Sequence, residues 1–195
     1  MCLNPDTLDD NVFEKLEIRD LNGSRRNISG SSFVSCTFIN ADFESSALLS
    51  VTFKKCTFLD SSFINANFRN VTFDECTFKN TMILSSRIRD SLFSACFFKY
   101  SSFDSSNFIG SRINDSEILE CGFSSVKAKA FVISKTSLTS VNMRKTIIKE
   151  IDLDDTRFSD IYLSEDLMEV RGACLSLDNA IAVLNAMGID VNLSK

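Results

Sequence analysis

From Ser31 to Tyr100 the chain reads SSFVS CTFIN ADFES SALLS VTFKK CTFLD SSFIN ANFRN VTFDE CTFKN TMILS SRIRD SLFSA CFFKY. Every fifth residue is large and apolar: Phe33, Phe38, Phe43, Leu48, Phe53, Phe58, Phe63, Phe68, Phe73, Phe78, Ile83, Ile88, Phe93 and Phe98. Two places before each sits a small residue, as at Ser31, Cys36, Ala41, Ser46, Val51 and Cys56. A period this strict must be accounted for before any motif is weighed. In an α-helix five residues advance about 500°, which would smear the phenylalanines around every side. In a flat strand side chains alternate, so each phenylalanine would face away from the last. A chain that runs extended for three residues and then turns a corner buries them all. The small and the large residue point inward, the residue between them points out, and the corner pair meets solvent. Repeated corners of one hand make a coil with the large residues stacked on its axis: an all-β solenoid.

Cys36, Cys56, Cys76 and Cys96 stand twenty residues apart, three of them followed by Thr-Phe. A period of twenty laid over a period of five means four sides per coil, with the cysteines forming a ladder down one side. Stacked coils are expected about 4.8 Å apart, like parallel strands, so the run from Ser31 to Glu165 makes close to seven coils and a rod roughly 30–35 Å long.

These residues resemble the pentapeptide-repeat family, whose consensus is written A(D/N)LXX, with Phe here in the place of Leu. The resemblance implies a right-handed quadrilateral β-helix and covers Ile28 to about Leu163. After Phe98 the same phase continues through Phe103, Phe108, Ile113, Ile118, Phe123, Ala128, Ile133, Leu138, Met143, Ile148, Leu153, Phe158 and Leu163 without an insertion. Ala128 is small where a large residue is expected and Phe131 is large at the next small site, a trade that conserves volume within one coil.

Three segments follow. Residues 1–27 hold the phase imperfectly, with Gly23 and Arg26 breaking it, and are expected to form an irregular first coil or a cap over an unpaired edge. Residues 28–166 are the β-helix. Residues 167–195 change character: Ser176 can cap a short α-helix, Leu177, Ala180, Ile181, Leu184 and Met187 follow one helical stripe with Val183 beside it, and Gly188 can end it. Ile189-Asp190-Val191 is expected to return as a short strand. The helix is either a lid over the last coil or, with those six apolar residues, a contact between two copies; closed pairs are the commonest oligomers.

Composition narrows the function. The chain has 195 residues and a net charge of −5, which argues against an electrostatic nucleic-acid binder. No apolar run is long enough for a membrane span, and the acidic start MCLNPDTLDD has no signal-peptide core. Of the seven cysteines, five occupy small inward sites and none forms a C-x-x-C pair; buried thiols behave as small hydrophobes and fit a reducing, cytoplasmic compartment. Histidine is absent, which removes the commonest general base, the His-activated nucleophiles and most zinc sets. No catalytic residue, cofactor or metal site is assigned, and an enzyme is not expected. Glu150, Asp152, Asp154, Asp155, Asp160, Glu165 and Asp166 form an acidic stretch that could dock on a partner, preceded by a basic one of Lys127, Lys129, Lys135, Arg144, Lys145 and Lys149.

The tail LSLDNAIAVLNAMGIDV resembles the closing segment of the topoisomerase-associated subgroup of the family, which includes the Qnr, MfpA and AlbG proteins. That resemblance implies a bacterial homodimer, paired through the C-terminal helix, that imitates duplex DNA. It would bind DNA gyrase or topoisomerase IV as a protein partner, binding neither nucleic acid nor membrane, and so inhibit the enzyme or protect it from a drug such as a quinolone, or from a toxin. The projecting loops of Gram-negative Qnr proteins have no counterpart in this chain. The alternative is a non-catalytic interaction scaffold or bacterial effector with an unrelated partner.

Overall fold

The computed structural model describes residues 8–153 and 155–192. From Val12 to Ser159 nearly every strand is three residues long and ends at a corner. Each strand pairs in parallel with residues twenty positions away, as in Phe13↔Phe33, Phe33↔Phe53 and Phe53↔Phe73. The four sides of the coil thus become four longitudinal faces. The first face, centred on Phe33 and Phe53, and the second, centred on Phe38 and Phe58, are eight-stranded sheets. The third is a ladder of single bridges running Asn22, Asp42, Ser62, Met82, Ser102, Gly122, Asn142, Tyr162. The fourth, centred on Leu48 and Phe68, has six strands.

Upstream of Ile28 the coil is already in full register. Val12–Glu14 and Glu17–Arg19 pair with the next coil, Asn22 bridges Asp42, and Asn27–Ser29 opens the fourth face. The described part of residues 1–27 is therefore a regular coil, contrary to the irregular segment expected. Gly23 does not break it, because a Cβ there would lie 2.9 Å from the Phe43 ring, which fills the space.

The corners have a backbone the repeat did not announce. At every fifth position from Asp10 to Lys145 φ is positive, mostly 48° to 63°, and all but Gly30 and Gly110 are non-glycine. On the third face the corner is closed by a turn in which Ser46 N donates to Phe43 O (3.1 Å) around Ser45 at φ 56°; a positive φ at that place is what a type II turn requires.

Inside, rings stack along the faces and meet edge-on between them. Phe33 and Phe53 lie 5.0 Å apart at 10°, while Phe33 and Phe38 lie 5.4 Å apart at 68°. Both arrangements suit the ring quadrupole, and each buried Phe contributes on the order of 1.5–3 kcal/mol. The polar side chains at the small inward sites bond backbone. Ser86 Oγ donates to Phe63 O (2.6 Å) and accepts from Ala66 N (3.1 Å), and Cys56 Sγ points at Phe33 O (3.3 Å). The size exchange is real: Phe131 stacks on Phe108 at 4.2 Å, filling the space that Ala128 leaves.

The C-terminal end is closed by side chains. The helix Leu177–Ala186 starts at Ser176, whose Oγ accepts from Asn179 N (3.3 Å). It ends with Gly188 at φ 77°, where Gly188 N donates to Asn185 O and Ile189 N to Leu184 O, a Schellman cap. Residues 189–191 do not return as a strand, and the Ile189 N–H is spent on Leu184 O in the Schellman turn. In lower coils an edge carbonyl such as Thr136 O accepts from the next coil's Arg157 N (3.0 Å). For Thr156 O that donor is the Asn179 side-chain amide (2.7 Å), whose oxygen accepts from Phe158 N (2.9 Å). On the third face the Glu169 carboxylate takes the Lys145 N–H and also accepts from Ser164 N (3.3 Å) and Ser164 Oγ (2.5 Å). No helix among the described residues is long and apolar enough to cross a membrane.

Candidate partner interface

Twenty residues make one coil, so a run of acidic residues along the chain circles the rod instead of lining it. Asp155 and Asp160 are exposed at successive corners, and Glu165 and Asp166 are exposed beyond the third face. Asp154 and the side chains of Glu150 and Asp152 lie outside the described residues. The expected acidic stretch thus rings the last coil and does not form a stripe.

A stripe does exist, and it reads down a column. Along the corner between the second and third faces stand Asp20, Asn40, Asp60, Asn80, Tyr100, Glu120, Ser140 and Asp160. Asn40 Nδ2 donates to Asp20 Oδ1 (2.7 Å) and Asn80 Nδ2 to Asp60 Oδ1 (2.9 Å), and Asn40 separates the carboxylates of Asp20 and Asp60. The third face adds Asp42, Glu44 and Asp104 beside it. Lys79 and Lys99 flank the column, Lys99 Nζ lying 4.8 Å from the Tyr100 ring centroid. The column alone carries a carboxylate at about every second rung, roughly 10 Å apart; only with Asp42, Glu44 and Asp104 added does the edge average about one per 4.8 Å, somewhat sparser than the phosphates of one DNA strand, about 3.4 Å apart along the helix axis. Of the acidic residues singled out in the sequence, only Asp160 belongs to it. Reading every twentieth residue, the register the cysteines set, would have found the rest.

The cap helix divides the expected contact residues. Asn179, Ala182 and Val183 are buried against the last coil, so Val183 belongs to the core of its own chain. Ala180, Ile181 and Leu184 are half-buried, and Leu177 (70 % exposed) and Met187 (47 %) face outward together with Ile189.

The cysteine ladder has little reactivity to offer. Burial pushes the Cys36 thiol up, and Cys56 is raised by its contact with Cys76 and by burial. At Cys76 the Cys56 thiol pulls down while Cys96 and burial push up, to about 12; burial takes Cys121 to about 11. Among the described residues no three His, Cys, Asp or Glu side chains gather as a metal site.

The model of the pentapeptide repeat region matches residues 26–103 and 46–123, the stretch that builds the regular coils. The chain belongs to the pentapeptide-repeat family. Among solved members, a trypsin-treated QnrB1, a plasmid-mediated fluoroquinolone resistance protein, matches with TM-score 0.54 and 14 % identity over 97 % of this chain and 95 % of that one. Full-length QnrB1 matches at TM-score 0.40 and 15 % identity, covering 91 % of this chain and 100 % of that one. Rfr23, a pentapeptide-repeat protein from the cyanobacterium Cyanothece 51142, gives 0.42 and 9 % identity over 51 % of this chain and 85 % of its own. At such identity the likeness is one of fold. A comparison with curated protein sequences finds no match.

Proposed function

We propose that this pentapeptide-repeat protein is a DNA-imitating rod that binds DNA gyrase or topoisomerase IV, inhibiting the enzyme or shielding it from a drug or toxin. The observation that carries the reading is the acidic edge running the length of the rod from Asp20 to Asp160. A groove evolved to hold phosphates attracts any rod of matching charge and width. The exposed Leu177, Met187 and Ile189 support pairing of two rods through their cap helices, which would extend the edge across the two-fold axis. A fold shared with a fluoroquinolone resistance protein is compatible with this role. The same reading makes the protein a non-catalytic, cytoplasmic bacterial one, in line with the buried free thiols of Cys36, Cys56, Cys76, Cys96 and Cys121 and the absence of histidine.

A supercoiling assay tests it: micromolar protein should slow gyrase, and an Asp60→Lys/Glu120→Lys variant should do so at least several-fold less well. No inhibition, together with no protection from a quinolone, removes the reading. The second reading, an interaction scaffold with an unrelated partner, is favoured by Lys79 and Lys99 beside the acidic column and by a net charge of only −5.

A further inference from the structure

Charges on the fourth face are arranged unlike those elsewhere. On the first face opposite signs meet between rungs, Lys54 Nζ lying 2.9 Å from Asp74 Oδ2 and Lys55 Nζ 3.5 Å from Glu75 Oε2. The outward positions of the fourth face instead carry Arg69, Arg87, Arg89, Lys127, Lys129 and Lys149, all exposed and, among the described residues, in no ion pair. Arg89 stands in register directly on Arg69, a like-charge contact that destabilises a sheet. The acids at its margins are Asp9 and Asp10 at one end, Asp90 at one corner, and Glu44 and Asp104 across the corner shared with the third face.

The same face also ends early. Its last strand is Lys127–Lys129, and the next rung is the short 3-10 helix Ile148–Glu150. In lower coils Lys127 N reaches Ser106 O (2.9 Å) and Gly110 N reaches Lys129 O (2.9 Å); among the described residues Val126 O and Ala130 N make no corresponding backbone bonds to the coil above. Above Ala128, which is only half-buried, opens a shallow depression lined by Val126, Lys127, Ala128, Lys145 and Ile147. Ile147 (48 % exposed) forms its rim, and past it a second depression bears Met168, with Glu165 and Asp166 on its far side.

We propose that the fourth face docks an extended acidic segment of a partner protein, its carboxylates over the arginines and lysines and one bulky apolar side chain in the depression above Ala128. A segment laid along the rod axis crosses the strands and meets Arg69, Arg89 and Lys129 of one column in turn. Single-stranded nucleic acid would call for aromatic stacking platforms, and this face has none. Exposed Leu49 and Ile147 have no counterpart on a phosphate backbone. The face is distinct from the acidic edge, so the proposal does not rest on the topoisomerase reading.

The test is fluorescence anisotropy on the full chain with a fluorescein-labelled peptide of alternating glutamate and leucine, the same peptide with serine for leucine, a DNA duplex, and phosphatidylglycerol vesicles. The Glu-Leu peptide should bind best. K127E/K129E and R87E/R89E should each weaken it roughly tenfold or more, K127Q/K129Q less, and the serine peptide should bind several-fold more weakly than its leucine parent. Circular dichroism checks that these exposed substitutions leave the fold intact. Absence of peptide binding, binding unchanged by charge reversal, or DNA or vesicles bound as tightly as the peptide would overturn the proposal.

Discussion

Ala95 sits at a corner with φ 51°, a conformation that costs an L-residue with a Cβ roughly 1–2 kcal/mol. Alanine-to-glycine changes ordinarily destabilise, because glycine loses more freedom on folding. At this corner the relief of strain offsets that loss, so Ala95→Gly should be neutral or stabilising by up to about 1 kcal/mol, whereas Ala66→Gly, at an inward small site, should destabilise. Urea midpoints of the two variants check the inversion of sign. The corner conformation could not be read from the sequence because Lys15, Tyr100 and Ala130 occupy it as well as Asn40 and Asp60. Ladder bonds on both sides of each corner impose it over local preference. The core, by contrast, was legible, since the inward positions admit only certain sizes. Its thiols carry a pH dependence of definite sign. A buried thiol raised in the folded state stays neutral where the unfolded one ionises. Its stabilising effect is thus complete below the ordinary thiol value of about 8.5 and declines as pH rises above it. With Cys76 at about 12 and Cys121 at about 11, stability should fall between pH 8.5 and pH 10. Cys76→Ser, which keeps a donor for Phe53 O, should blunt that fall in urea titrations at the two pH values.

At the scale of the element, the cap helix was legible in its ends and not in its orientation. Ser176 and Gly188 mark the termini because capping chemistry is local. The face that packs is set by Asn179, which bonds the open strand edge at Thr156 and Phe158. A hydrophobic stripe passes over such a polar residue. Asn179→Ala should strand a buried acceptor and a buried donor at about 1–3 kcal/mol each. The loss should be local, seen as faster hydrogen exchange at Phe158 before the lower coils are affected. Glu169 closes the third face in the same manner but titrates. Burial tends to raise its carboxyl, yet the Ser164 hydroxyl and the Lys145 and Ser164 amides outweigh that and leave it lowered. A lowered folded value means the stabilisation is complete above the ordinary glutamate value of about 4.3 and is lost as pH falls below it. Exchange at the Lys145 and Ser164 amides should therefore accelerate below that pH, and Glu169→Gln should show the acid-side behaviour already at neutral pH.

Across the whole molecule, what the chain order hides is the cross-section. Residues adjacent in sequence circle the rod, while those that share a surface are twenty apart, so the acidic edge and the basic fourth face both emerge only by column. The two lie on different sides of one tube, and the rod ends in a helix whose inner side is already spent on Asn179, Ala182 and Val183. Among the described residues Leu177, Met187 and Ile189 on the outer side stay exposed. If they seat a second copy, Leu177→Lys and Met187→Lys should halve the mass seen by sedimentation equilibrium without lowering thermal stability at dilute concentration, because neither side chain supports its own coil. Ile181→Asp and Leu184→Lys strike half-buried positions and should give monomers with a loosened cap as well. A parent protein that sediments as a monomer, or outer-face variants that stay dimeric, would assign the helix to closing its own rod. The acidic edge would then have to meet its partner as a single rod of about seven rungs, roughly 34 Å.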